Sequence, residues 1–129
     1  MITPNNLKYS RTHEWVEFTS ETSAKVGLTD YAQQSLGGIV YVDLPNVGDA
    51  VTAGKSFSDL ESVKMVVEIY SPVSGTIAEI NEAVLDQPEL INEAPYDTWL
   101  IHVTDITSRG DLLDDAAYEV VCKEEEESK

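Results

Sequence analysis

Hydrophobic and polar residues alternate with a period of two along much of the chain, which is the pattern of half-buried β-strands. Runs that alternate, or that are rich in β-branched and aromatic side chains, predict strands at residues 14–18, 24–28, 39–42, 76–80 and 99–103. Turn-forming residues at 44–49 and 71–75 separate these runs. The segment 81–98 contains Pro88 and Pro95, which predict an extended loop. The chain is therefore predicted to be mainly β.

A β-hairpin is predicted in the middle of the chain. Strand-like runs at 57–62 and 65–70 flank the dipeptide Val63-Lys64, so Lys64 is expected near the tip. Lysines are scarce in this sequence, and this one lies between two apolar residues. Its position makes it the most unusual residue of the chain.

Two helices are predicted. A short helix at 30–36 has Thr29 or Asp30 as its N-cap, and Gly37-Gly38 ends it. The second helix, at 111–122, carries one apolar stripe, made by Leu112, Leu113, Ala116, Ala117, Val120 and Val121. We expect a single domain at 1–123, followed by an acidic, disordered tail at 124–129.

Composition excludes several classes of function. The chain has 129 residues, and eight Lys and Arg against 24 Asp and Glu give a net charge of −16. A negative field of this size repels nucleic-acid backbones and anionic membrane surfaces. The one cysteine cannot form an intrachain disulfide. Residues 1–6 lack the basic and apolar regions of a signal peptide, and no Arg-rich transit segment is present.

No residue set points to catalysis or to a metal. His13 and His102 lack a second His or Cys at ligand spacing, and His102 is expected on the polar face of its strand. Cys122 has no activating neighbour in the sequence. Lys64 remains. A lysine amine held clear of a fold by a hairpin can accept an acyl cofactor and become a long flexible arm, although an ordinary solvated lysine is the alternative.

The sequence around Lys64 resembles the lipoyl-lysine site of the glycine cleavage system H protein family. Five ordered blocks, covering residues 7 to 121, carry the resemblance. These blocks are YSRTHEW at 9–15; GLTDYAQ at 27–33 with Leu36-Gly37 and IVYVDLP at 39–45; ESVK at 61–64 with IYSPVSG at 69–75; PELIN at 88–92 with Pro95-Tyr96 and Trp99; and LLD at 112–114 with Tyr118.

The resemblance implies a hybrid barrel-sandwich fold, as in lipoyl and biotinyl carriers, and lipoate joined by an amide to the amine of Lys64. It implies a carrier rather than an enzyme. The carrier takes the aminomethyl group of glycine from the pyridoxal-phosphate glycine decarboxylase to the tetrahydrofolate-dependent aminomethyltransferase. Dihydrolipoyl dehydrogenase then reoxidises the arm, and a lipoate-attaching enzyme is a fourth partner. A monomer is expected, cytoplasmic if bacterial and in the mitochondrial matrix if a mature eukaryotic form.

The same resemblance suggests two residues that contact the loaded arm. Glu14 matches the His-Glu-Trp block, which lines the family's arm cleft, and its carboxylate could pair with the amine of the cargo. Glu68, four residues after Lys64, stands where the family commonly has Asp. Two ordinary strand carboxylates are the alternative reading of Glu14 and Glu68.

Other readings stay open at the level of sequence. Biotin carriers have a Met-Lys-Met centre, of which only Met65 is present here, and they lack the His-Glu-Trp and closing-helix blocks. An H-like carrier that relays lipoate to other enzymes, or an interaction protein with an unmodified Lys64, would have the same motifs. The bulky residues 65–67 and a segment 95–99 that is one residue shorter than in the family affect the expected cleft shape and partner fit.

Overall fold

The computed structural model describes residues 2–128, which form two antiparallel sheets and four helices. The strands are β1 (Lys8–Tyr9), β2 (Glu14–Ser20), β3 (Ser23–Leu28), β4 (Ile39–Val42), β5 (Ala50–Val51), β6 (Ser56–Ser62), β7 (Val66–Tyr70), β8 (Val73–Ile80) and β9 (Ile101–Arg109). The helices are α1 (Asp30–Leu36), α2 (Ala83–Asp86), α3 (Leu90–Glu93) and α4 (Asp115–Glu127). The larger sheet has the order β1-β2-β3-β9-β8-β5 and the smaller sheet β4-β6-β7.

The predicted hairpin is formed by β6 and β7. Their register pairs Leu60 with Val67 and Glu61 with Val66, which leaves Lys64 in the connection. Burial alternates along β6, so Leu60 points into the core while Glu61 faces solvent. The hairpin is anchored because its inward side chains pack with those of β4 and α1 in one core cluster.

Helix α1 agrees with its sequence signals in both position and caps. The Thr29 hydroxyl accepts a hydrogen bond from the Ala32 amide at 3.1 Å, as an N-cap does. Gly37 follows the last turn with φ +76°, a conformation that glycine adopts without a Cβ penalty. Ala32 and Leu36 face the core, which places the end of α1 beside the hairpin.

Helix α4 differs from the prediction at both ends. It begins at Asp115 rather than at 111, because Asp114 is the N-cap and Leu113 forms a backbone bridge with Tyr9. It ends at Glu127, so residues 124–127 of the predicted disordered tail are helical. Tyr118 anchors the helix by stacking on Tyr9 with ring centroids 4.7 Å apart. Residue 129 lies outside the described residues.

Three further segments also differ from the sequence predictions. The predicted turn at 71–75 is wrong beyond Pro72, because β8 begins at Val73. The predicted loop at 81–98 contains the one-turn helices α2 and α3, whose Val84 and Ile91 are buried in the core. Strand β9 continues to Arg109 as the partner of β8. Among the helices of residues 2–128, none combines the length and apolar character needed to cross a membrane.

Candidate functional site

Lys64 lies in a compact turn organised by Ser62. The Ser62 hydroxyl accepts hydrogen bonds from the amides of Lys64, at 3.1 Å, and Met65, at 3.2 Å. The Ser62 amide in turn donates to the Met65 carbonyl at 2.8 Å. A serine that satisfies the turn amides holds the backbone of this tip in one conformation. The Lys64 side chain itself is exposed.

The end of α1 supports the tip from one side. The Val63 amide donates to the Gly38 carbonyl at 2.9 Å. A Cβ atom built on Gly37 would lie 3.5 Å from Cε of Lys64, so the lysine stem lies against this glycine. Asn92 supports Gly37 from behind, because its side-chain amide donates to the Gly37 carbonyl at 2.8 Å. The hairpin tip that carries the amine is thus supported by the end of α1, which Asn92 in turn holds in place.

A cavity of about 530 Å³ lies beside the hairpin. Its apolar wall consists of Leu28, Ala32, Leu36, Val67 and Ile69. Its ionisable lining consists of Arg11, His13, Glu14, Glu68 and Glu125. A smaller pocket that includes Lys64 and Glu126 shares Tyr31 and Ser35 with the cavity, so a continuous surface leads from the lysine to the cavity.

Glu14 forms the buried end of this cavity, and its side chain is only 1% exposed. Its Oε1 atom accepts a hydrogen bond from the Ser10 hydroxyl at 2.6 Å and another from Thr12. Its Oε2 atom accepts from the Tyr70 amide at 3.3 Å. Burial nevertheless raises the pKa of Glu14 to about 7, because these bonds offset only part of the cost of removing the charge from water.

Glu68 lies on the rim of the same cavity and is exposed. It accepts a hydrogen bond from the Tyr70 hydroxyl at 3.0 Å. The structure therefore brings Glu14 and Glu68 to one cavity, one at its buried end and one at its edge. Lys64 lies outside the cavity and is connected to it through Tyr31 and Ser35. His102 and Cys122 do not line it.

A network of polar contacts that the sequence analysis missed borders the cavity at α4. The Tyr118 hydroxyl lies 2.6 Å from the Thr29 hydroxyl and 2.8 Å from Nδ1 of His13. On the other side of the imidazole, Nε2 lies 2.6 Å from Oε2 of Glu125. A helix continued past residue 122 would have placed positions 118, 122 and 125 on one face, which is the signal that could have identified Glu125.

Comparisons with known proteins agree along almost the whole chain. A profile described as Glycine cleavage H-protein matches residues 7–125. The glycine cleavage system H protein of Lachnoclostridium phytofermentans is 53% identical over 95% of this chain and 96% of its own length. That of Geobacillus kaustophilus is 48% identical over 96% of this chain and 99% of its own length.

The chain belongs to the glycine cleavage H-protein family. A crystal structure of a glycine cleavage system H protein from Mycobacterium marinum superposes on it with a TM-score of 0.86, at 37% identity, over 91% of this chain and 96% of that chain. This likeness confirms the expected mainly β barrel-sandwich fold. An H protein is a lipoate-bearing carrier component of the glycine cleavage system and not itself a catalyst.

Proposed function

We propose that Lys64 is the attachment point of lipoate, joined as an amide to Nζ, and that this arm carries the aminomethyl group between the enzymes of the glycine cleavage system. The observation that carries the assignment is an exposed lysine on a braced hairpin tip, connected by a continuous surface to a cavity with a buried carboxylate. When attached, lipoate supplies a dithiolane whose sulfur takes up the cargo.

The residues around Lys64 fit such an arm. The apolar wall of the cavity suits a hydrocarbon chain and a disulfide ring, whereas the carboxylates suit a cationic end. The Lys64 stem already lies against Gly37, which has no side chain of its own. The partners of this arm are glycine decarboxylase, the aminomethyltransferase, dihydrolipoyl dehydrogenase and a lipoate-attaching enzyme. The carrier itself acts as a monomer.

Glu14 and Glu68 are proposed to hold the cationic end of the loaded arm, at the buried end and at the rim of the cavity. The raised pKa of Glu14 has a consequence for this role. Near neutral pH a fraction of the empty sites carries a proton on Glu14, and a cation that enters the cavity favours the carboxylate and displaces this proton. The buried end of the cavity therefore adjusts its charge to that of its occupant.

The assignment of Lys64 is tested by intact mass after co-expression with a lipoate-attaching enzyme. The chain should gain ~188 Da for a lipoyl group, whereas a biotinyl group would add ~226 Da, both from their formulas. The Lys64→Arg variant keeps the positive charge but has no acylable amine, so it should gain nothing and should not support glycine cleavage.

Lys55 offers a matched control, because it is an exposed lysine just before the opposite end of β6. The Lys55→Arg variant should be lipoylated like the unchanged chain. A lipoyl mass on Lys64→Arg would refute the assignment, and a biotinyl mass on the unchanged chain would assign a different cofactor. Circular dichroism of both variants checks that the fold is retained.

A further inference from the structure

The last turn of α4 lies beside the path from Lys64 to the cavity. Glu126 borders the pocket that contains Lys64, and Glu125 lines the cavity itself. A hydrogen bond with Glu126 contributes to raising the pKa of Tyr31 to about 12, after burial of the phenol. The four consecutive glutamates at 124–127 are therefore not an unattached tail, because two of them contact the residues that line this path.

His13 holds Glu125 at a defined place. The imidazole lies between the Tyr118 hydroxyl and the Glu125 carboxylate, and its ring packs against Tyr31 with centroids 4.8 Å apart. These contacts form one chain, from the Thr29 hydroxyl through the Tyr118 hydroxyl to Nδ1 of His13, with Nε2 of the same ring 2.6 Å from the Glu125 carboxylate. Burial raises the pKa of Tyr118, so its hydroxyl stays protonated within this chain.

Glu125 and Glu14 occupy different depths of the cavity. The Glu125 side chain is 46% exposed, whereas Glu14 is 1% exposed. Glu125 therefore lies at the mouth and Glu14 at the buried end. A cationic group entering the cavity passes the first carboxylate before it reaches the second, and a carboxylate already held in place loses little side-chain entropy when the cation arrives.

We propose that Glu125, held by the positioning residue His13, is a third carboxylate, besides Glu14 and Glu68, that retains the cationic end of the lipoyl arm in the cavity. This proposal rests on the proposed function of Lys64. It assigns to the last turn of α4 a role in selecting a cationic cargo over a neutral arm of the same length. Removing the charge of Glu125 should weaken retention of a cation and leave a neutral arm unaffected.

The test uses the full chain with synthetic arms in place of lipoate. In the Lys64→Cys variant the introduced thiol is alkylated with one of two arms of equal length, ending in an ammonium or in a methyl group. Cys122 is 2% exposed and burial raises its pKa, so alkylation is directed to position 64. A ¹³C label on the last carbon then reports, by NMR with a paramagnetic agent in the solvent, how far that carbon is protected.

Three further substitutions are compared in this background. Glu125→Gln keeps the side-chain shape and removes the charge. His13→Asn suits the positive φ of 76° and can still bond Tyr118, but it is too short to reach Glu125. Glu124→Gln is the matched control, because it removes one charge from the same helix at a position that does not line the cavity.

For the ammonium arm, Glu125→Gln should lower the ratio of seated to free arm about fivefold, and His13→Asn should lower it by a smaller factor. The methyl arm should respond to neither, and Glu124→Gln should change neither arm. An ammonium arm that is equally protected with Gln at position 125, or equal losses for both arms, would overturn the proposal. Lipoylation of Lys64 is measured separately by mass, so attachment and retention fail or succeed independently.

Discussion

Glu14 makes folding stability depend on pH in the direction opposite to that of most carboxylates. Its pKa is raised to about 7 in the folded protein from 4.5 in the unfolded chain. Between these two values the folded state binds more protons than the unfolded state, so the free energy of unfolding falls as pH rises. Replacing Glu14 by Gln removes the titrating group, so the variant should not lose stability in this way as pH rises.

The magnitude follows from the shift. A difference of about 2.5 pKa units corresponds to ~3 kcal/mol, most of which is lost between pH 5 and pH 8. Gln also changes the hydrogen bonds to Ser10, Thr12 and the Tyr70 amide, which adds a cost that does not depend on pH. The prediction therefore concerns the slope. The free energy of unfolding of Glu14→Gln, minus that of the unchanged chain, should rise by about 2–3 kcal/mol from pH 5 to pH 8.

Urea unfolding followed by the fluorescence of Trp15 and Trp99 measures this difference, because urea leaves the ionic strength constant. Starting at pH 5 keeps the protein above its isoelectric point near 4.1. Glu17→Gln, on the more exposed part of β2, controls for the loss of one negative charge. A difference that stays flat from pH 5 to pH 8 for Glu14→Gln would refute the reasoning, as would an equal slope for Glu17→Gln.

Two other predictions concern the same region. In the lipoylated and loaded protein, Glu14→Gln should shorten the lifetime of the aminomethyl cargo about tenfold, measured as ammonia release, and an unchanged rate would argue against its contact with the cargo. Gly27→Ala should cost about 2–3 kcal/mol in urea unfolding, because the new Cβ would lie 2.5 Å from Cε2 of Trp15. Gly38→Ala, whose Cβ would meet Val63 at an ordinary 3.6 Å, is the control, and equal losses for the two variants would contradict the steric explanation.

Local signals in the sequence predicted those elements whose stabilising contacts lie between residues close along the chain. Thr29 and Gly37 cap α1 within the span of the helix, and the structure has that helix at Asp30–Leu36. The alternation around Leu60 predicted the hairpin, and the pairing of β6 with β7 confirms it. In each case the partners are close along the chain, so the pattern of side chains contains most of the information.

The extent of α4 could not be predicted in this way. Four consecutive glutamates by themselves do not favour a helix in water, because like charges on adjacent turns repel. The helix continues through them where distant residues hold it, with Tyr118 stacked on Tyr9 and Glu125 facing His13. His13 and Tyr118 are 105 positions apart, so no local window of sequence contains the contact.

The burial and hydrogen bonding of Glu14 likewise could not be predicted from the sequence. The period-two pattern predicted a strand there, but it did not indicate that this carboxylate would be the buried end of a cavity. The Tyr70 amide, which comes from β7, 56 positions away, supplies part of its hydrogen bonding. The resemblance of the His-Glu-Trp block to a known family pointed to Glu14, whereas its raised pKa depends on burial.

The sequence by itself determined the strand-rich fold, the short capped helix and the hairpin that presents Lys64, because each is specified by side-chain periodicity and by turn and cap residues a few positions apart. Only the tertiary structure decided that the cavity beside the hairpin ends at Glu14 and opens at Glu125. Packing of β2, β7, α1 and α4 brings these groups together from distant parts of the chain, and the burial that this packing produces raises the pKa of Glu14.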